Sequence, residues 1–96
     1  MKLVSITPSD KPDKKYVAKF QTDSGRSKSV HFGAAGMDDY TKTKDKEQRE
    51  RYRTRHAKDL TTNDPTKAGY LSYYILWGDS TNLQTNIKAY KNKFNL

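Results

Sequence analysis

A chain of 96 residues without a linker-like segment is the size of one domain, so we treat residues 1–96 as a single basic domain. Its 19 Lys and Arg residues against 11 Asp and Glu give a net charge of +8, which favours an anionic partner. The absence of cysteine excludes disulfides and cysteine-based zinc sites. No apolar window suits a signal peptide or a membrane span, so we expect an intracellular protein that does not associate with a membrane.

The first third of the chain predicts a small antiparallel sheet. Val4 and Ile6 are expected on one face of a first strand, which a proline-containing loop then ends. Two later runs alternate apolar and polar residues and flank the glycine-containing turn Thr22–Arg26, so residues 15–33 predict a β-hairpin. The inward positions of this hairpin are Tyr16, Ala18, Phe20, Val30 and Phe32.

Beyond the small residues Gly33–Gly36 the apolar period changes from 2 to 3.6, which predicts helices. The segment 44–60 is rich in helix formers and has one narrow apolar stripe. The stripe consists of Tyr52, His56 and Leu60.

A second helix is predicted to begin at Pro65, with Asn63 or Asp64 as its cap, and to end before Gly78. The aromatic run up to Trp77 is apolar almost all round, so this helix belongs in the core.

A third helix, capped by Asp79 or Ser80, completes the chain. We therefore predict an α+β fold, in which a small antiparallel sheet of about three N-terminal strands packs against three C-terminal helices. The apolar positions of the last helix are Leu83, Ile87, Tyr90 and Phe94, and its basic residues are Lys88, Lys91 and Lys93.

Five stretches of the chain carry a resemblance to a known family. They are His31–Ala34, Asp39–Thr41, Arg49–His56, Ala68–Trp77 and Asn82–Leu96, about two thirds of the chain. Through them the chain resembles small basic proteins of large DNA viruses of algae and protists, the phycodnaviruses and mimiviruses. The resemblance implies a viral origin and a place in the host cell or the virion, but it transfers no catalytic residue and no ligand.

Two positions depart from the pattern of that family. Thr43 stands where its members often carry a histidine, and Tyr73 stands where they often carry a basic residue. No role is transferred to either position.

The main candidate site is the basic side of the helix predicted over 44–60. Arginine makes bidentate contacts with phosphate oxygens, and several such contacts give salt-sensitive, largely sequence-independent binding. A solvated helix face, stabilised by an ion pair between Glu47 and Arg51, is the alternative that stays open. The candidate nucleic-acid-binding residues are Lys42, Lys44, Lys46, Arg51, Arg53, Arg55 and Lys58. Arg49 projects towards the apolar stripe, so we expect its stem to pack on the edge of the core.

The sequence favours no enzyme, metal, cofactor or small-molecule substrate. His56 lies in an apolar stripe, where a hydrogen-bonded core histidine is commoner than a catalytic base. Asp38 and Asp39 could hold a divalent cation, but adjacent acids in a loop more often cap a helix or face solvent. Gly33–Gly36 lacks the lysine of a phosphate-binding loop and suits close packing between the sheet and a helix.

The aromatic run could stack on bases or pack in the core, and core packing is favoured because the run lies in the most apolar helix. A thin core can leave some of these rings for self-association, so a homodimer is a further expectation. The residues concerned are Tyr70, Tyr73, Tyr74 and Trp77.

Two hypotheses from different classes follow. The first is a viral nucleic-acid-binding protein, largely sequence-independent, that packages or accompanies the genome, with DNA favoured over RNA and the choice between them left open. The second is a structural or adaptor protein of the virion, whose positive surface docks on an acidic protein patch. A small enzyme ranks last, because the chain offers no nucleophile and base at a recognisable spacing.

Overall fold

The computed structural model describes all 96 residues and has the α+β architecture that the sequence predicts. One antiparallel sheet, with the strand order β1-β2-β3, is formed by the N-terminal third of the chain. Helices follow it and pack against its inner face. The strands are β1 (Lys2–Pro8), β2 (Lys14–Gln21) and β3 (Ser27–Ala34).

The predicted hairpin is confirmed as the pair of strands β2 and β3. Ala18 lies opposite Val30, and the side chains of Ala18, Phe20 and Phe32 are almost fully buried. Gly25 adopts a φ of +86° in the turn, a conformation that glycine allows without steric cost.

The prediction that Val4 and Ile6 share one face of β1 is wrong. Val4 is 55% exposed, whereas Leu3 is only 3% exposed. A β-bulge between Leu3 and Ser5 shifts the register, and one extra residue inverts the alternation that follows it. Ile6, opposite Ala18, therefore packs against the core on the same face as Leu3.

The helical part of the chain is more segmented than the sequence predicts. A 3-10 turn (Ala57–Leu60) follows the second helix, and a π-helical turn (Ser72–Leu76) follows the third. The helices are α1 (Tyr40–Thr43), α2 (Lys46–His56), α3 (Ala68–Leu71) and α4 (Leu83–Phe94).

The helix predicted over 44–60 begins two residues later, at Lys46. The carboxylate of Asp45 accepts hydrogen bonds from the amides of Glu47 at 3.0 Å and Gln48 at 3.2 Å, so Asp45 is the N-cap. Lys44 has a φ of 57° and ends the short helix α1 instead.

The caps predicted for the last two helices are also wrong. Asp64 accepts hydrogen bonds from the amide and hydroxyl of Thr66, which closes a turn, and the helix begins only at Ala68. Asn82 caps α4 by accepting a hydrogen bond from the amide of Thr85 at 3.0 Å. The helix that begins at Ala68 has no side-chain cap, whereas before α4 several residues have capping chemistry and the course of the loop decides which is used.

The predicted amphipathic character of α4 is confirmed. Tyr90 is buried, and Leu83, Ile87 and Phe94 pack against the same core. The basic residues of this helix, Lys88, Lys91 and Lys93, are exposed. No helix of the structure is both long and apolar enough to cross a membrane.

Asn86 joins α4 to the end of the π-helical turn. This side chain is 3% exposed, and its amide nitrogen donates to the carbonyls of Ile75 at 2.9 Å and Ser80 at 2.7 Å. Its amide oxygen accepts from the backbone amide of Ser80 at 3.0 Å. Gly78 lies so close that an added Cβ would be 2.2 Å from the carbonyl oxygen of Tyr74. The chain therefore passes between the π-helical turn and α4 only with glycine at this position.

We expect Asn86→Ala to lower the free energy of unfolding by about 3 kcal/mol, because it leaves several buried backbone groups without partners. Asn92→Ala is the matched control, since Asn92 is an exposed residue of the same helix and should change stability by about 0.5 kcal/mol or less. Denaturant unfolding of both variants tests this. Equal stabilities would contradict the role of Asn86.

Candidate functional site

A cleft of about 580 Å³ opens along one side of α2. Four segments line it: the end of β3 with the loop to α1, the part of α2 from Gln48 to its end, the π-helical turn with Trp77, and Lys15 of β2. It combines basic, aromatic and hydrogen-bonding side chains, which is how ligand sites are usually built.

Gly33 allows the first wall of the cleft to lie against the third. Its φ is +79°, and an added Cβ would be 2.8 Å from Cδ1 of Leu76 and 3.2 Å from Cβ of Lys15. The prediction that small residues permit close packing here is confirmed at this glycine.

Asp39 acts as a cap, which the sequence favoured over a metal ligand. It is 2% exposed, accepts hydrogen bonds from the amide and hydroxyl of Thr41, and forms an ion pair with Nζ of Lys15 at 2.5 Å. Asp38 is exposed at the edge of the cleft. The structure contains no group of three or more His, Cys, Asp or Glu residues that could hold a metal ion.

An aromatic column forms one side of the cleft. The ring of Tyr52 stacks between those of His56, at a centroid distance of 4.2 Å, and Trp77, at 4.3 Å. Burial raises the pKa of Tyr52, and the nearby carboxylate of Asp59 raises it further. His56 is hydrogen-bonded, as expected, through Nδ1 to Asp59 at 2.9 Å. It lies partly exposed at the cleft, however, and not in the core, because α2 has no buried residue.

Arg53 faces away from the cleft and is held by the protein. Its Nε donates to the carbonyl of Trp77 at 2.8 Å, and a terminal nitrogen pairs with Asp79 at 2.9 Å. The hydrogen bond from Arg53 lowers the pKa of Asp79. Both contacts connect α2 to the loop between the π-helical turn and α4.

Arg49, one turn earlier on the same side of α2, packs as the sequence predicts. Its guanidinium lies 4.6 Å from the ring centre of Tyr40 and pairs with Glu50 at 3.2 Å. Its Nε is buried without a hydrogen-bond partner. Arg49 and Arg53 thus connect α2 to the rest of the domain.

Arg51 and Arg55 lie at the cleft, one helical turn apart. Both are exposed, and neither has an ion pair, so the pairing of Arg51 with Glu47 considered from the sequence does not form. Arg55 makes only a long contact of 3.5 Å, from its Nε to the neighbouring His56.

The four candidate lysines are exposed and free of ion pairs but do not line the cleft. One lies in the 3-10 turn after α2, one in α1, one directly after α1 and one at the start of α2. They are Lys58, Lys42, Lys44 and Lys46.

The aromatic run is divided between core and surface. Tyr70 and Trp77 are buried, as predicted, whereas Tyr73 and Tyr74 are only partly buried. Nζ of Lys93 lies 5.6 Å from the ring centre of Tyr74, which gives this exposed edge a cation–π contact. The expected homodimer stays a prediction.

These observations define a small basic α+β domain with an arginine-lined cleft. Residues 4–56 match a family described as a family of unknown function (DUF5754), and the chain belongs to this family. The matched part spans the sheet and α2, so it includes Arg51 and Arg55. No match was found among curated proteins or among solved structures. The viral relationship implied by the sequence resemblance stays a prediction.

Sequence reasoning missed the cleft and several of its residues, among them Gln48 and Ser72. A signal existed for one wall, because a glycine at the end of a strand and before a helix indicates a close approach of two segments. No local signal exists for the facing walls, which lie far apart in the chain.

We expect Arg53→Met to raise the pKa of Asp79 towards its ordinary value of 3.8 and to reduce stability at neutral pH. A lowered folded-state pKa stabilises the fold above pH 3.8, and this contribution is lost as the pH falls through the folded-state pKa. The difference in free energy of unfolding between Arg53→Met and the unmodified protein should therefore become smaller at acid pH. NMR titration of Asp79 and urea unfolding measure both effects.

Arg51→Met is the matched control for this experiment. Arg51 does not contact Asp79, so the pKa of that carboxyl and the stability should stay almost unchanged. An equal shift of the Asp79 pKa in both variants would contradict the separate roles of the two arginines.

Proposed function

We propose that the protein binds nucleic acid, with DNA favoured over RNA as the partner, through the exposed side of α2. Arg51 and Arg55 are the central phosphate ligands, and the four exposed lysines extend the contact along the backbone. The observation that carries the proposal is uncompensated charge: only Lys15, Arg49 and Arg53 of the 19 Lys and Arg residues are in ion pairs. The proposed ligands of α2 are therefore available to an external anion.

The geometry of α2 suits contacts with a phosphate backbone. Residues four apart on a helix have Cβ atoms about 5–6 Å apart, so Arg51 and Arg55 project side by side. Each guanidinium can donate two parallel hydrogen bonds to one phosphate. When arginine and lysine side chains bind several phosphates, the counterions of those phosphates are released. Such binding is therefore strongly salt-dependent and largely independent of sequence.

Helix stability does not account for all of these charges. Arg53 and Arg55 lie in the last turn of α2, where positive charge interacts favourably with the helix dipole. Lys46 is the first residue of α2, at the opposite end, where positive charge is unfavourable. Its presence there fits an anionic partner better than it fits a solvated, self-stabilised helix.

In this proposal Arg53 is a positioning residue and not a phosphate ligand. Its guanidinium already binds the carbonyl of Trp77 and the carboxylate of Asp79. It orients α2 relative to the π-helical turn, and in this way it positions the two arginines that contact phosphate. We include in the same proposal the role implied by the sequence resemblance, in which the protein packages a viral genome or associates with it.

Arg51→Gln combined with Arg55→Gln should weaken binding of a DNA oligonucleotide and reduce the slope of log K against log salt by about 2, one phosphate contact for each arginine. Arg26→Gln is the matched control. Arg26 is exposed in the β2–β3 turn, at the far end of β3 from Gly33, roughly 23 Å away by strand length. Fluorescence anisotropy at several salt concentrations measures these affinities.

Absence of binding at low salt, or an affinity that does not vary with salt, would overturn the proposal. The adaptor hypothesis would then remain. It requires that a pull-down recovers a protein partner even after nuclease treatment. The double variant Arg51→Glu with Arg55→Glu should abolish this recovery.

A further inference from the structure

The phosphate ligands proposed above lie beside a concavity, not on a flat surface. A cleft of about 580 Å³ is within the range of about 300–1,000 Å³ typical of sites that hold a small organic molecule. It offers more room than a phosphate group needs. A backbone bound by Arg51 and Arg55 would therefore have a cavity next to it that the phosphates do not fill.

The lining of the cleft suits a flat, partly apolar ring with polar edges. Tyr52 contributes aromatic surface, and Leu76 and Trp77, which are 2% and 7% exposed, contribute small apolar edges. Asp38, Gln48 and Ser72 contribute hydrogen-bonding groups. Such a combination of apolar walls and a few polar groups is how proteins hold an unpaired base.

The side-chain amide of Gln48 has hydrogen-bond donors that are available to such a ligand. Its Oε1 accepts a hydrogen bond from the hydroxyl of Thr43 at 2.9 Å, which orients the side-chain amide. The Nε2 donors of the same amide have no partner within the protein. The carboxylate of Asp38 is exposed at the cleft and can accept from the amino group of a base.

We propose that the cleft receives the base of one unpaired nucleotide while the adjoining phosphates bind Arg51 and Arg55, so that the protein prefers single-stranded to duplex nucleic acid. This inference rests on the proposed function and names its substrate class. A base within a duplex must first be unpaired and unstacked, which costs free energy. A base in a single strand is already free to turn into a pocket.

The fluorescence of Trp77 can report directly whether a ligand enters the cleft. Trp77 is the sole tryptophan of the chain, and it lines the cleft. Titration with a single-stranded oligonucleotide should change its emission, because a base entering the cleft alters the surroundings of the indole ring. The duplex of the same sequence should bind roughly tenfold more weakly and leave the emission nearly unchanged.

Ala34→Phe and its neighbour Ala35→Phe form a matched pair. Both alanines are exposed, but only Ala34 lines the cleft. Ala34→Phe should fill the cleft, abolish the emission change and remove the preference for single strands, while duplex binding stays unchanged. Ala35→Phe should behave as the unmodified protein.

Gln48→Leu is a second variant, useful if Ala34→Phe fails to fold. It should weaken single-strand binding several-fold without affecting the duplex, because it removes only donors to the base. Equal affinity for both strand forms, with no emission change, would overturn the inference and leave the proposed function standing. Absence of binding to either form would overturn both.

Discussion

The buried amide of Asn86 is the interaction on which the rest of the structure depends. A π-helical turn leaves its last carbonyls without helical partners, and Asn86 satisfies the carbonyl of Ile75 while it also binds both backbone groups of Ser80. Gly78 makes this approach possible, because no side chain fits between the carbonyl of Tyr74 and Asn86. The position of Trp77 follows from this arrangement. Its carbonyl receives Arg53, and its ring supports Tyr52 and thereby the wall of the cleft.

The helical period of α2 places the arginines that stabilise the fold and those proposed to bind phosphate on different sides. Arg49 and Arg53 lie on the side that contacts the domain, where one covers the ring of Tyr40 and the other binds Trp77 and Asp79. Arg51 and Arg55 alternate with them in sequence and line the cleft. Because 3.6 residues make one turn, residues two apart point to different sides. Four arginines with the same chemistry therefore divide into two that connect elements and two that are available to an anion.

The sequence predicted those features whose causes are local. The hairpin and the amphipathic face of α4 follow from apolar periods and turn residues, and the structure has both. Predictions were wrong where the surrounding tertiary structure determines the local conformation. The bulge in β1 placed Leu3 inward in place of Val4, and Asn82 capped α4 although Asp79 and Ser80 had suitable side chains. A bulge adds one residue without altering composition, so no sequence pattern indicates it reliably.

The sequence alone determined the excess of positive charge, its concentration on the segment that forms α2, and the α+β order of elements, because charge and period are properties of the chain itself. Tertiary structure alone decided which arginines are free. Arg53 finds its partners 24 and 26 residues away, and the cleft is formed by four segments that only folding brings together. The reason is physical: an ion pair or a cavity depends on distances between segments, and composition does not encode these distances.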